Sequence, residues 1–478
     1  MKKILYYQNS LLFLILVLFL LCACSDNRYG AEKLYWQAER KGERLIKDKE
    51  GKLSEEDYKE IISYYQKVVD KFPLEPLSAK AQFVIANNYI SLKQFDKAQE
   101  VINSIIHNFS NSPDIATQAY FALGNIFERE GNWQKAEDEY EKIMDMYPLT
   151  NLGLNMPIYV LQHYQRIKDK GKEDKAYEKA IRRYKSLIEE YSDTRMVPVI
   201  KDYLALVHFE EGKYQEALAI WDSIISDYPN TPQAGLGLLK KAEVYLNRLN
   251  DLPKAISSYE EFIKRYPHSS DLAKVEYSLA LLYFRNNNLD KAKELFSSLI
   301  DKYPKDKKLS LKAYLGLSYC YRKELNTDKV MEIYTKIKKD YPKTKEAVAI
   351  PFLIAQYYWQ INLDTKAEEA IVNAIIEYEK LLNDSSIDER LIREVANFLA
   401  LSYIKHKDID KAIKCLRDLA DKYPKNPIYL FDLANLFRNL NSLDKAISIY
   451  KEIIERYPEN KLIAKLCERE ISILEKKR

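Results

Sequence analysis

Only 11 of the 478 residues are glycine and 16 are proline. Scarcity on that scale excludes the turn density of an all-β chain and the slack of a loop-rich one. Histidine is rarer still: His107, His163, His208, His268 and His406 are the whole set, and no two are close enough in sequence to make a metal pair. Cys320, Cys415 and Cys467 are too few and too widely spaced for a disulfide framework or a zinc site, and read as small buried hydrophobes. A Gly-rich phosphate loop, a nucleophile elbow and a His-Glu-x-x-His helix are all missing. No catalytic group, cofactor or metal is therefore expected. Charge of one sign is lacking too, since 75 basic residues face 71 acidic ones for a formal net charge of +4. A nucleic-acid partner would call for a basic face or stripe.

What is present is 47% hydrophobic and 31% charged residues, enough to fill a core and to solvate a long exterior. These residues recur with a period. An aromatic, usually followed by proline, stands at Phe72, Phe109, Tyr147, Tyr191, Tyr228, Tyr266, Tyr303, Tyr341, Tyr378, Tyr423 and Tyr457, mostly 37 or 38 residues apart. Eleven residues before each lies a marker: Ala98, Ala136, Ala180, Ala217, Ala255, Ala292, Ala367, Ala412 or Ala446, with Ile61 and Val330 as the exceptions. Ala292, Leu295, Phe296, Leu299, Ile300 and Tyr303 fall on one face at helical spacing, and Pro304 then stops the helix. The Asp of the recurring Asp-Lys-Ala (Asp96, Asp290, Asp410, Asp444) suits a helix cap or first turn. About twelve residues before the marker a second small residue recurs: Ala86, Gly124, Ala205, Ala242, Ala280, Ser318, Ala355, Ala400 and Ala434. Three residues after it comes Tyr89, Phe127, His208, Tyr245, Tyr283, Tyr321, Tyr358, Tyr403 or Phe437. Two stretches break the period: residues 168–176 lengthen the turn within the fourth pair, and Leu382 to Asp388 lengthen the link into the tenth, both as surface insertions.

These slots resemble the tetratricopeptide repeat over nearly all of residues 31–458, and the Tyr-Pro link is similar to that of BamD-like and Tol-Pal-associated (YbgF-like) envelope lipoproteins. The resemblance implies an all-α fold, an α-solenoid of about eleven antiparallel helix pairs in a right-handed superhelix. Residues 459–478 add a helix that caps the last repeat.

The N-terminus carries its own signal. Lys2 and Lys3 precede an apolar run from Leu11 to Leu21, too short to span a membrane and matched to a secretory signal. Leu21-Cys22-Ala23-Cys24-Ser25 resembles the lipobox of bacterial lipoproteins. By that resemblance residues 1–23 are removed, Cys24 takes up the lipid through its thiolate, and residues 24–30 form the tether. Ser25 after the lipidated cysteine implies delivery to the outer membrane, facing the periplasm.

The expected function is binding without turnover, by a lipid-anchored scaffold of the cell envelope. Outer-membrane protein assembly is the leading setting; Tol-Pal-type envelope maintenance or a peptidoglycan-associated adaptor, and an accessory subunit of a glycan-processing or lytic enzyme, are the alternatives. Partners would be other proteins or peptides, with the membrane reached through the anchor and with no small-molecule substrate. In such a solenoid the inner wall is lined by first helices and holds peptides or partner helices. Flanking the small slot, its candidate residues are Phe83, Asn87, Phe121, Asn125, Tyr277, Phe284, Tyr319, Phe352, Gln356, Trp359, Phe431, Asn435 and Arg438. Rings interspersed with Asn and Arg make a plausible peptide-binding surface. Asn87, Asn125 and Asn435 stand where tetratricopeptide chaperone adaptors grip a partner's C-terminal carboxylate, but Phe or Tyr occupies the neighbouring slots here.

Overall fold

The computed structural model describes residues 27–49, 51–384 and 387–476. Among them every regular element is an α-helix. Residues 1–26, including the apolar run and Cys24, lie outside the described residues.

The chain divides into two compact units, one ending at Asn250 and the other beginning at Asp251. The first holds α1 (27–48), α2 (Glu55–Lys71), α3 (Pro76–Ser91), α4 (Phe95–Asn108), α5 (Pro113–Arg129), α6 (Trp133–Met146), α7 (Asn151–Ile167), α8 (Lys170–Glu190), α9 (Val197–Glu210), α10 (Tyr214–Asp227) and α11 (Pro232–Asn247). The second holds α12 (Leu252–Arg265), α13 (Leu272–Arg285), α14 (Leu289–Lys302), α15 (Lys307–Lys323), α16 (Thr327–Asp340), α17 (Lys345–Gln360), α18 (Asp364–Asn383), α19 (Glu389–Lys405), α20 (Ile409–Lys422), α21 (Ile428–Asn439), α22 (Leu443–Arg456) and α23 (Lys461–Glu475). Within each unit helices pack mainly on their sequence neighbours, with lighter contacts between first helices of successive pairs. That is the solenoid pattern, in which each repeat touches only the next. Within the second unit α23 packs on α22, burying Ile463, Cys467 and Leu474.

From α3 on, a residue in the left-handed region follows each first helix: Lys93, Gly131, Lys168, Gly212 and Asn250 in the first unit, and Asn287, Leu325, Asn362, Lys407 and Asn441 in the second. The next amide then reaches back to the carbonyl of the aromatic-slot residue, as in Gln94 to Tyr89, Asn132 to Phe127, Lys213 to His208, Asn288 to Tyr283 and Ser442 to Phe437. This is the Schellman closure, which satisfies carbonyls that the helix end leaves open. Asparagine and glycine tolerate the left-handed conformation, whereas leucine pays for it. Leu325 sits there with φ 58° and is 61% exposed. Leu325→Gly is expected to raise stability by about 1 kcal/mol, read as a higher denaturant midpoint with an unchanged slope.

Six of the second helices start on Asn or Asp caps: Asn132, Asp169, Asp251, Asn288, Asn326 and Asp408 each accept an amide three residues on. Asp96, Asp290, Asp410 and Asp444 of the Asp-Lys-Ala motif lie within the first turn instead, where a carboxylate faces the positive end of the helix dipole. The terminal aromatics close these helices: Phe72, Phe109, Tyr147, Tyr191, Tyr228, Tyr266, Tyr303, Tyr341, Tyr423 and Tyr457 are all C-cap residues.

Two expectations are corrected here. The left-handed residues are spaced by 37 or 38 except for a shorter last step from Lys407 to Asn441 and longer ones across residues 168–212 and 362–407, so both lengthenings fall inside a second helix. α8 has 21 residues and α18 has 20, where α14 has 14. Residues 168–176 are thus not an enlarged turn: from Lys170 on they are helix, and the extra seven residues add about two turns. Likewise Tyr378 does not end α18. It lies within the helix, fully buried, and α18 runs on to Asn383, taking up Leu382 and Asn383 of the expected link.

Tyr378 is instead the counterpart of Tyr184 in α8, each lying 27 residues after a proline inside a first helix, Pro351 in α17 and Pro157 in α7. Proline removes a ladder donor and crowds the carbonyl four residues back, which bends the helix. At that bend the Tyr378 hydroxyl donates to the Val348 carbonyl (2.7 Å) and accepts the Phe352 amide (3.2 Å). The Tyr184 hydroxyl donates to the Leu154 carbonyl in the same way.

The interlocking slots are filled as read. Ala98, Ala136, Ala217, Ala255, Ala292, Val330, Ala367, Ala412 and Ala446 are wholly buried, as are Ala205, Ala242, Ala280, Ser318, Ala355 and Ala434. Four residues after the marker comes a large side chain, such as Tyr140, Trp221, Phe296, Tyr334 or Tyr450, buried to 1% exposure or less. Gly124 is small because a Cβ there would lie inside contact distance of the Tyr140 ring.

Candidate functional site

The thirteen candidate side chains fall into three classes, set by their register relative to the small slot of the first helix. Phe83, Phe121, Tyr277, Phe352 and Phe431 precede that slot by three residues. They point inward. Phe121 meets Tyr140 at 5.7 Å and Tyr159 at 5.9 Å, Tyr277 meets Phe296 at 5.9 Å, Phe352 meets Phe398 at 5.9 Å, and Phe431 meets Tyr450 at 5.4 Å between ring centroids. Phe83 packs against the core around Ala86 and Ala98. Phe352 is fully in the interior, so it is removed from the groove-lining set.

Phe284, Trp359 and Arg438 follow the small slot by four residues and are half-buried. The neighbouring repeat places a cation on the two rings, Lys323 over Phe284 at 5.3 Å and Lys405 over Trp359 at 5.8 Å, while Arg438 donates to Glu470 at 2.6 Å. Such contacts tie successive repeats together.

The position immediately after the small slot is the outward one. In the first unit it holds Asn87, Asn125, Gln162, Leu206 and Glu243, with Asn87, Gln162 and Glu243 exposed and Leu206 half-buried. In the second unit it holds Leu281, Tyr319, Gln356, Leu401 and Asn435, and the exposures of Leu281, Tyr319 and Leu401 are 40%, 44% and 42%. Leu281 and Leu401 were not among the sequence candidates, which favoured rings and amides; the repeat register was the signal that would have found them. Asn435 accepts a hydrogen bond from the buried Tyr450 hydroxyl at 2.8 Å, whereas Tyr140 gives its proton to Glu128 at 2.6 Å and lies 3.5 Å from the Asn125 amide oxygen. The Asn435 amide therefore holds its helix pair together, and a carboxylate clamp there would have to displace a tyrosine.

A second recurrent contact involves a lysine of the second helix, which in four of the repeats below is that of Asp-Lys-Ala. It lies over the aromatic slot of its own repeat, eight residues earlier: Lys97 over Tyr89, Lys135 over Phe127, Lys172 over Tyr164, Lys291 over Tyr283, Lys366 over Tyr358, Lys411 over Tyr403 and Lys445 over Phe437, at 4.9–5.9 Å. The ring is thus roofed by a solvated ammonium and is not offered to a partner.

Among the described residues no group of His, Cys, Asp and Glu could hold a metal ion, and no helix is long and apolar enough to cross a membrane. Burial pushes the Cys320 and Cys467 thiols up to about 11 and the Cys415 thiol up to about 12, so all three are protonated and poorly nucleophilic at neutral pH.

Tyr140 and Tyr159 both donate to Glu128, at 2.6 and 2.8 Å, and beside them His163 stacks on Trp133 with 3.2 Å between centroids. Burial and the nearby Arg166 hold the His163 imidazole below its usual value, and burial does the same to His208, which hydrogen-bonds Tyr177 at 2.9 Å. Depressed histidines stabilise the fold above the unfolded value near 6.5, and that contribution is lost as pH falls below it. Tm is therefore expected to drop between about pH 7.5 and about pH 5.5, and His163→Gln should shrink the drop.

Family models described as tetratricopeptide repeat match residues 83–149 and 399–461, and a second set, also described as tetratricopeptide repeat, matches residues 202–231, 237–269, 275–306 and 312–344. Together they take in more than half of the chain. Over 201 residues the chain is 26% identical to human Tetratricopeptide repeat protein 29, covering 38% of this chain and 42% of that protein. The chain therefore spans less than half the length of that curated relative. Among solved structures it is similar to Naa15/Naa10 bound to HypK-THB (15% identity, TM-score 0.36, 91% of this chain and 65% of that one) and to yeast Tom70 (15%, 0.33, 93% and 96%).

Proposed function

We infer that this chain, which belongs to the tetratricopeptide-repeat proteins, is a protein-binding scaffold of the bacterial cell envelope, tethered by lipid at Cys24 and engaged in outer-membrane protein assembly. The observation that carries the binding role is the outward column on the first helices of the second unit, where the apolar Leu281, Tyr319 and Leu401 stay exposed. Exposed apolar side chains repeated along one face are the usual mark of a protein contact. The envelope setting rests on the sequence alone: Lys2 and Lys3, the apolar run from Leu11 to Leu21, and Cys24. A tether at Cys24 would confine the scaffold to the membrane surface and raise its effective concentration for partners there.

Two fractions test the reading. Full-length protein expressed in a diderm bacterium should sediment with the outer membrane, and Cys24→Ser should release it to the periplasm. A stoichiometric barrel-assembly component co-purifying with the membrane form supports the assembly role. Membrane retention of Cys24→Ser defeats the anchor, and co-purification of peptidoglycan-linked proteins instead defeats the assembly setting.

A further inference from the structure

The two repeats with the longer second helix also share a pocket. In the first unit a cavity of about 270 Å³ opens between α6, α7 and α8, with Pro157, Val160, Ala176 and Ala180 as its floor. In the second unit the residues 194 positions later, Pro351, Ile354, Ala370 and Ala374, floor a cavity of about 360 Å³ between α16, α17 and α18. In both, a proline inside the first helix and two alanines of the second line the cavity, where larger side chains would fill it.

The rims differ in charge. Around the first cavity stand Lys172, Lys175, Lys179 and Arg183; around the second the equivalent places hold Lys366, Glu369, Asn373 and Glu377. Some of this charge is already matched. Lys179 pairs with Glu141 and Arg183 donates twice to Asp145 at 3.0 Å, whereas Glu137 accepts the neutral Tyr164 hydroxyl at 2.6 Å and keeps one negative charge to set against the two remaining lysines. Lys172 lies over the Tyr164 ring, with only a distant pairing to Asp169 at 4.0 Å, and Lys175 is exposed with no ion-pair partner among the described residues. The free charge at the mouth is positive. The space is also small: cofactor and drug-sized sites run from about 300 to 1,000 Å³, so this one suits one or two side chains.

We propose that the pocket between α6, α7 and α8 is a docking site for an acidic amphipathic segment of a partner protein. One Leu- or Phe-sized side chain enters the floor, and flanking carboxylates meet Lys172 and Lys175. The proposal rests on the scaffold reading and adds a second face to it. The pocket between α16, α17 and α18 has the same floor but, through Glu369, rejects the same segment.

The test is a fluorescence-anisotropy titration of full-length protein with a fluorescein-labelled amphipathic peptide bearing Glu on its polar face and a single Phe on its apolar face. Saturable binding should weaken roughly tenfold in Lys175→Glu, by a similar factor when the peptide's Phe becomes Ala, and further as salt is raised. Glu369→Lys should raise the stoichiometry from one peptide per chain to two. Ala176→Leu, which fills the floor, should abolish binding while circular dichroism reports an intact fold. Absence of binding to the unmodified protein, equal binding of a Lys-for-Glu peptide, or unchanged affinity in Ala176→Leu would each overturn the pocket assignment. Loss of binding in Tyr319→Ala but not in Lys175→Glu would overturn it too, while leaving the scaffold reading standing.

Discussion

Trp221→Ala should cost about 3–5 kcal/mol, the largest loss expected of any single substitution considered. The indole occupies the large slot four residues after Ala217 in α10, 1% exposed. Its Nε1 donates to Asp202 of α9 at 2.8 Å, and the Lys240 ammonium of α11 holds both oxygens of the same carboxylate at 2.7 Å. One side chain thus joins three consecutive helices by packing and by a charge-assisted contact. Removing it leaves a cavity and strips Asp202 of one of its donors. Trp221→Phe keeps most of the volume and loses only the donor, so roughly 1–3 kcal/mol is expected. Because a repeat contacts only its neighbours, hydrogen exchange should accelerate in α9–α11 and stay unchanged in α1–α4. Uniform acceleration across the unit would mean that it does not behave as a stack of locally coupled repeats.

The second large effect concerns the bend at Pro351. Tyr378→Phe takes away a hydroxyl that serves the Val348 carbonyl and the Phe352 amide, both in a buried setting, at an expected cost of about 1–3 kcal/mol. In a Pro351→Ala background the helix regains its own donor and can straighten, so the hydroxyl matters less. The double variant should therefore be less destabilised than the sum of the singles by about 1 kcal/mol, measured as a double-mutant cycle from denaturation midpoints. Strict additivity would show that the tyrosine and the proline act independently.

The regular repeats were legible in the sequence because two kinds of residue have no substitute at helix contacts. Ala292 and Ala446 lie where backbones approach, and Tyr303 and Tyr457 close their helices just ahead of a proline; composition alone marks such places. The long repeats were misread for a definite reason. Tyr378 stands 37 residues after Tyr341 and so imitates a terminal aromatic, whereas its buried hydroxyl and the proline 27 residues earlier make it the partner of Tyr184. Residues 168–176 carry Lys, Asp, Glu and a glycine, a composition that reads as a turn. Capping at Asp169 and burial of Ala176 and Ala180 make most of them helix. The binding face was only half legible. Residue type separates aromatic from aliphatic but not inward from outward, and Phe352 and Leu281 exchange roles once the register of α13 and α17 is known. The pockets could not be read at all, since they arise from bent helices and from what their neighbours fail to fill.

The most direct test of the account is site-specific photo-crosslinking in living cells from Leu281, Tyr319 and Gln356, with Ala292 and Ala355 as buried controls. The account predicts that the exposed first-helix positions capture one discrete envelope protein in common and that the buried positions yield only crosslinks within the chain. Capture from none of the three exposed positions, under conditions where the full-length protein is folded and membrane-bound, would contradict a scaffold that works through its first-helix face.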